Sequence, residues 1–288
     1  MNTNLLTKIE EEYKNLSKGQ KRIADYILNH YDKASFMTAA TLGNLVGVSE
    51  STVVRFAAEL GYDGYPELQK ALQEIIRVRL TAVQRLEVAS NRVDEENILQ
   101  TVLMSDMEKI KVTLEQIDRS AFQKTVETIL SAKHIYILGV RSSAALASFL
   151  GFYFNLMFQN VRLVHTSSVS EMFEQILNLE QGDVVIGISF PRYSKRTIQA
   201  LQYAKDSGAT VISLTDSESS PLVPISDIAL TSRSDMVSFA DSLVAPLSLI
   251  NALIVAISMR KKEEVTRNFE KLEEIWEEYH VYEKPSEE

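Results

Sequence analysis

A chain of 288 residues, 45% hydrophobic and 24% charged, holds enough apolar material for about two domains with buried cores. The absence of cysteine excludes disulfides, thiolate zinc sites and a cysteine nucleophile, and fits a reducing cytoplasm. The net charge of -9 excludes a protein that coats nucleic acid indiscriminately, though not a small DNA-reading domain.

The N-terminus, Met1-Asn2-Thr3-Asn4, has no basic start followed by an apolar run, so no secretory leader is expected. Over residues 1–80 basic and acidic side chains balance, which places the acidic excess in the remainder. Residues 1–85 read as short helices. Ser17-Lys18-Gly19-Gln20 fits a capping box opening a helix with Ile23, Ile27, Leu28 and Tyr31 at helical spacing. Further helices are expected at about Thr41–Val46 and Glu50–Leu60, and a longer one from Pro66 to about Val88.

The segment Ala39 to Ala58 follows the pattern of a helix-turn-helix. Leu42, Val46 and Val48 point inward, and Val53, Phe56 and Leu60 form the buried stripe of the second helix. Gly47 supplies a turn residue free to take positive φ. Ser49 is expected to cap the second helix by accepting from its free N–H groups. Small Gly43 and Ala57 allow neighbouring helices to approach closely. The outer face carries Ser51, Thr52 and Arg55, residue types that reach base edges and phosphates when such a helix enters the major groove. Lys18, Lys21 and Arg22 on the preceding helix are candidates for phosphate contact. Ser49, Ser51, Thr52 and Arg55 with Lys18 and Lys21 form the candidate DNA-contact set. The plain alternative is a three-helix bundle whose hydroxyls and arginine only face water.

A linker is expected at 86–94 and a second domain over 95–288. After helices at about Glu95–Ile117 and Ser120–Ala132, short apolar runs occur at His134–Leu138, Val161–His165, Asp183–Ser189, Thr210–Leu214 and Asp227–Leu230. Helix-length segments separate the first four, which implies a parallel sheet with helices on both faces. Asp241 to Tyr279 reads as two helices. The uncharged stretches Ser142–Phe158 and Ser242–Met259 approach the length of a membrane span, but their Ser, Asn and Pro content favours helices of a core or a dimer interface. No membrane contact is expected.

Two loops carry chemistry. Gly139-Val140-Arg141-Ser142-Ser143-Ala144 joins a strand to a helix, where free N–H groups hold anions. Only Gly139 fits a G-x-G-x-x-G fingerprint, so no nicotinamide cofactor is expected, nor any other cofactor. Ser189-Phe190-Pro191-Arg192-Tyr193-Ser194-Lys195-Arg196-Thr197 follows another strand and is rich in hydroxyls and cations. Together these loops are expected to share one crevice at the carboxyl ends of the strands, suited to a phosphate on a polyol. The candidate ligand residues are Arg141, Ser142, Ser143, Ser189, Arg192, Ser194 and Thr197. Glu171 behind a third loop, His165-Thr166-Ser167-Ser168, is a candidate acceptor for sugar hydroxyls. The four histidines show no metal spacing.

The chain resembles the RpiR (MurR/RpiR) family of regulators over nearly its whole length. The resemblance lies in Leu16–Tyr31, in Val48-Ser-Glu-Ser-Thr-Val-Val-Arg-Phe56, in Leu60-Gly-Tyr-Asp-Gly-Tyr-Pro-Glu-Leu68, and in the two loops, which look like those of a sugar isomerase (SIS) domain. It implies a helix-turn-helix domain followed by a three-layer, flavodoxin-like α/β domain with a five-stranded parallel sheet. It also implies a homodimer or homotetramer that binds double-stranded operator DNA under control of a phosphosugar. The chain departs from the SIS pattern where Pro191 and Arg192 replace a Ser and a Gly, and where Arg141 replaces the second Gly of the first loop. These exchanges point to a more anionic effector or to lost sugar binding. An isomerase using Glu171, Glu174 or His165 as base is the enzymatic alternative. A C-terminal half that only oligomerises is the third.

Overall fold

The computed structural model describes residues 5–79, 81–90, 97–165, 168–236 and 240–283. The chain divides into two compact units, Met1–Asn91 and Arg92–Glu288.

The first unit is helical: α1 (Leu5–Glu12), α2 (Lys18–Ala34), α3 (Ala39–Val46), α4 (Glu50–Glu59), α5 (Tyr65–Arg79) and α6 (Ala82–Ser90). The capping box at the start of α2 forms as expected, with Ser17 and Gln20 bonding each other's backbone N–H. Ile23, Ile27, Leu42, Val53, Phe56 and Leu60 are fully buried in one core with Leu68 and Leu72 of α5. Three side chains spaced four apart on α5 serve carbonyls left over where α2 ends. Tyr65 donates to the Met37 carbonyl at 2.8 Å, Gln69 to the same carbonyl at 2.9 Å, and Gln73 to the Ser35 carbonyl at 3.1 Å.

The helix expected from Pro66 to Val88 is two helices, α5 and α6. Thr81 opens the second, accepting from Gln84 N–H while its own N–H reaches the Gln84 side chain at 3.0 Å. Residues 86–90, expected to begin the linker, continue α6, and 91–94 lie outside the described residues.

The second unit begins with α7 (Ile98–Gln116) and α8 (Arg119–Leu130). Strands and helices then alternate through β1 (Ile135–Gly139), α9 (Ser143–Met157), β2 (Val161–Val164), α10 (Val169–Ile176), β3 (Val184–Ile188), α11 (Lys195–Asp206), β4 (Thr210–Thr215) and β5 (Ile228–Thr231). The unit closes with α12 (Val244–Arg260) and α13 (Lys262–Glu278). The five strands form one parallel sheet in the order β2-β1-β3-β4-β5, the flavodoxin-like arrangement. Alternate residues of β1 serve opposite faces. Ile135 and Ile137 pack with α8, α9 and α12, while Tyr136 and Leu138 pack with α10 and α11.

Among the described residues no single helix is long and apolar enough to cross a membrane. The bent pair α12–α13 reaches that length and composition jointly, but α12 buries Leu249, Ile250, Leu253 and Ile257 in the core.

Candidate functional site

Local chemistry shapes the turn between α3 and α4. Gly47 sits at φ +69°, the left-handed region that only glycine enters without a steric penalty. A Cβ on Gly43 would lie 2.9 Å from the Val48 carbonyl oxygen, so α3 meets the turn backbone to backbone. Arg22, a candidate for phosphate contact, donates to the Gly47 carbonyl at 2.8 Å and pins the turn.

Ser49 occupies the N-cap position of α4 but does not cap it. Its hydroxyl is shared with the hydroxyls of Ser51 at 2.9 Å and Thr52 at 2.8 Å, which draws it away from the backbone N–H groups. The three hydroxyls form one cluster at the exposed helix start. Arg55 lies one turn on, exposed, with its Nε donating to the Ser51 carbonyl at 3.2 Å.

Gly19 of α2 approaches Thr52 and Val48 closely, since a Cβ there would stand 3.5 Å from both side chains. That packing brings the first turn of α2, with exposed Lys18, beside the hydroxyl cluster. Lys21 is half-buried, its ammonium 5.5 Å from the centre of the Tyr13 ring. Sequence reasoning counted only polar groups on α4 and missed Val54. It is 41% exposed and stands three residues after Ser51, where an apolar side chain can meet a thymine methyl.

In the second unit the sheet order changes direction at β1, which has β2 on one side and β3 on the other. The crevice of such a sheet opens at the carboxyl ends of these two strands. Gly139 pairs in register with Ile188, so the loops leaving β1 and β3 are direct neighbours. A Cβ on Gly139 would fall 2.5 Å from the Ser143 carbonyl oxygen, so α9 begins against the strand end. Arg141 takes φ +58°, holding the left-handed conformation that a glycine would take freely. Arg141, Ser142 and Arg192 are exposed, Ser194 is half-buried, and Ser143, Ser189 and Thr197 are buried. The Ser189 hydroxyl accepts from Ser194 N–H at 3.3 Å, closing its loop. Glu171 and His165 are exposed on the β2 side, and Thr166 and Ser167 lie outside the described residues.

Serine stands at the N-cap of α9, α10 and α11 as Ser142, Ser168 and Ser194, and none of the three caps with its hydroxyl. Ser168 instead shares its hydroxyl with Ser170 at 2.8 Å, as Ser49 does with its neighbours, whereas Ser17, Thr38 and Asp118 cap their helices.

A further loop at this edge, the one after β4, was not read from sequence. Tyr193 donates to Oδ1 of buried Asp216 at 2.7 Å, just past β4. Thr215 and Ser217 also donate to that carboxylate, each at 3.3 Å, and Thr215 bonds Ser220 at 2.7 Å. The run Thr215-Asp-Ser-Glu-Ser-Ser220 after an apolar strand was the available signal.

Residues 3–77 match the helix-turn-helix domain of the rpiR family, and residues 128–256 match the SIS domain. The chain belongs to the RpiR family of transcriptional regulators. Among its relatives is the HTH-type transcriptional regulator HexR of Escherichia coli, 28% identical over 94% of this chain and 93% of HexR. The sugar isomerase domain of an RpiR transcription factor from Sphaerobacter thermophilus is 28% identical, with a TM-score of 0.59, covering 62% of this chain and 99% of that one. Vibrio vulnificus NanR, solved in complex with ManNAc-6P, shares the fold at 24% identity and a TM-score of 0.59, over 95% of this chain and 98% of NanR.

Proposed function

We propose that this RpiR-family regulator binds operator DNA through α4 and is controlled by a phosphorylated sugar held at the carboxyl edge of its sheet. The observation that carries the effector site is the pair of serines, Ser142 and Ser194, at the neighbouring helix starts after β1 and β3, neither of which caps its helix. A capping hydroxyl contributes about 1 kcal/mol to its helix. Leaving that contribution unused at these two neighbouring strand-to-helix loops fits hydroxyls turned to a ligand. Helix starts supply N–H donors for the phosphate, and Arg141 and Arg192 add positive charge.

On DNA, Arg55 reads a base edge, Ser51 and Thr52 contact base or phosphate, and Lys18 and Lys21 contact phosphate. The protein works as a homo-oligomer that places two α4 helices about one turn of DNA apart, as a palindromic site requires. It is not an isomerase on this reading. Glu171, Glu174 and His165 are all exposed, beside the edge strand β2.

A panel of sugar phosphates and amino-sugar phosphates, ManNAc-6P included, tests the effector site by thermal shift. One compound is expected to stabilise the protein, by about 2.7 kcal/mol at one hundred times its Kd, and its unphosphorylated parent is not. Silence across the panel overturns the phosphosugar reading. In the same protein Arg55→Ala is expected to weaken operator binding by about 1–3 kcal/mol, and an unchanged operator affinity removes Arg55 from the contact set.

A further inference from the structure

Helix α7 is amphipathic in the wrong direction for a helix surrounded by water. Its buried residues are Lys109 and Thr113. The Lys109 ammonium donates to the Ser105 hydroxyl at 2.6 Å and faces Asp106 at 3.4 Å. Asp106 also accepts from Ser242 at 2.6 Å, and Thr113 accepts from Arg233 N–H at 2.9 Å. Polar side chains thus hitch the inner face of α7 to the segment between β5 and α12. The outer face carries Leu99, Leu103, Met107, Ile110 and Leu114, which are 74%, 54%, 63%, 40% and 65% exposed.

Steps of four, four, three and four residues keep these five on one stripe of a helix. With Met104, 58% exposed, they leave on the order of 600 Å² of mostly apolar surface in water, the upper end of what monomers carry. A standard interface buries roughly 800 Å² per partner, so this patch supplies most of one side.

Beside the C-terminal half of the stripe runs an apolar groove of about 440 Å³ between α7, α8 and α12, lined by Ile110, Leu114, Ile117, Phe122 and Leu249. One helix therefore presents a protruding ridge over its first half and a groove along its second. A two-fold axis sets each patch against itself. If the two α7 helices ran parallel, ridge would meet ridge and groove would face groove. If they run antiparallel, the Leu99–Leu103–Met107 ridge of each copy seats in the groove of the other. The stripe also reads nearly the same in both directions about the point between Asp106 and Met107, which pairs Leu99 with Leu114 and Leu103 with Ile110.

We infer that α7 is the self-association element of this protein, pairing antiparallel with α7 of a second copy across a two-fold axis beside Met107. This surface is separate from the crevice at the sheet edge, so its test stands whether or not a phosphosugar binds there.

The chain has no cysteine, so single cysteines placed in the full-length protein report without background. Under mild oxidation Met107→Cys is expected to form a disulfide-linked dimer. Leu99→Cys and Leu114→Cys are each expected to stay uncrosslinked alone and to cross-link to each other when mixed and allowed to exchange. Leu103→Glu, a change at an exposed position, is expected to sediment as a monomer with an unchanged helical circular-dichroism spectrum. Self-cross-linking by Leu99→Cys without Met107→Cys overturns the antiparallel arrangement. Absence of every cross-link, with the protein still sedimenting as an oligomer, moves the interface to another surface. A wild-type monomer at micromolar concentration overturns the inference outright.

Discussion

The hydroxyl of Tyr193 donates to Oδ1 of Asp216 at 2.7 Å and so ties the loop leaving β3 to the loop leaving β4. Asp216 is only 3% exposed. Tyr193 follows Pro191 and Arg192, the two residues at which the loop departs from the SIS pattern. The bond thus fastens an unusual loop to its neighbour. Tyr193→Phe is expected to cost about 1.5–3 kcal/mol, the range for a hydrogen bond to a charged acceptor. A chemical-denaturation midpoint equal to wild type would show that Thr215 and Ser217 satisfy the carboxylate unaided.

Alkali tests the same burial from another side. Burial, with help from Asp216, pushes the Tyr193 phenol well above its usual range, and burial alone raises Tyr65 from 10.0 to about 12. A raised phenol pKa means that the fold favours the neutral form. The stability contributed by Tyr65 is therefore whole below pH 10 and is lost as pH rises from 10 toward about 12. Phenolate absorbance on alkaline titration is expected to show tyrosines that ionise only as the protein unfolds. Smooth titration of every tyrosine near pH 10 in folded protein would contradict this.

Two glycines at the α3–α4 turn separate conformational from steric need. Gly47→Ala is expected to cost about 1 kcal/mol, because alanine pays for the left-handed conformation. Gly43→Ala is expected to cost about 1–3 kcal/mol, because its methyl group meets a backbone carbonyl that has no rotamer to change. It is also expected to shift the turn and lower operator affinity. Thermal melts rank the pair, and Gly43→Ala as stable as wild type would mean that the turn yields at little expense.

At Arg141 stability and ligand response are expected to move in opposite directions. Arg141→Gly removes a side chain from a left-handed backbone position and is expected to stabilise the unit by about 0.5–1 kcal/mol. It also removes a cation from the proposed effector site, so the thermal shift produced by the phosphosugar shrinks. Melting with and without the effector identified by the panel reads both effects, and an undiminished shift takes Arg141 out of the site.

Periodicity and punctuation made most of the architecture legible. The run His134–Leu138 became Ile135–Gly139, and Asp183–Ser189 became Val184–Ile188, because buried parallel strands are continuous apolar runs bounded by turn residues. The break before α6 was also legible. Thr81-Ala-Val-Gln84 repeats the chemistry of Ser17-Lys-Gly-Gln20, yet the long apolar periodicity from Pro66 onward masked it. What local pattern cannot supply is pairing across distance. Tyr193 and Asp216 are 23 residues apart in different loops, and only the order of β3 and β4 in the sheet makes them neighbours. Ser49 shows the opposite limit. Its position at the helix start was right, but Ser51 and Thr52 compete for its hydroxyl, and no propensity rule arbitrates between them.

The bonds from Tyr65, Gln69 and Gln73 to the carbonyls of Ser35 and Met37 set a lower limit on how short a stand-alone DNA-reading fragment can be. The helix-turn-helix motif ends by Leu60, but a polypeptide cut there would strand two carbonyls at the end of α2 and uncover Leu42 and Phe56 by removing Leu68 and Leu72 from the same core. A fragment carried through Gln73 keeps every one of those partners. The smallest piece able to hold α4 in place is therefore set by the last glutamine of that ladder and not by the last residue able to touch DNA.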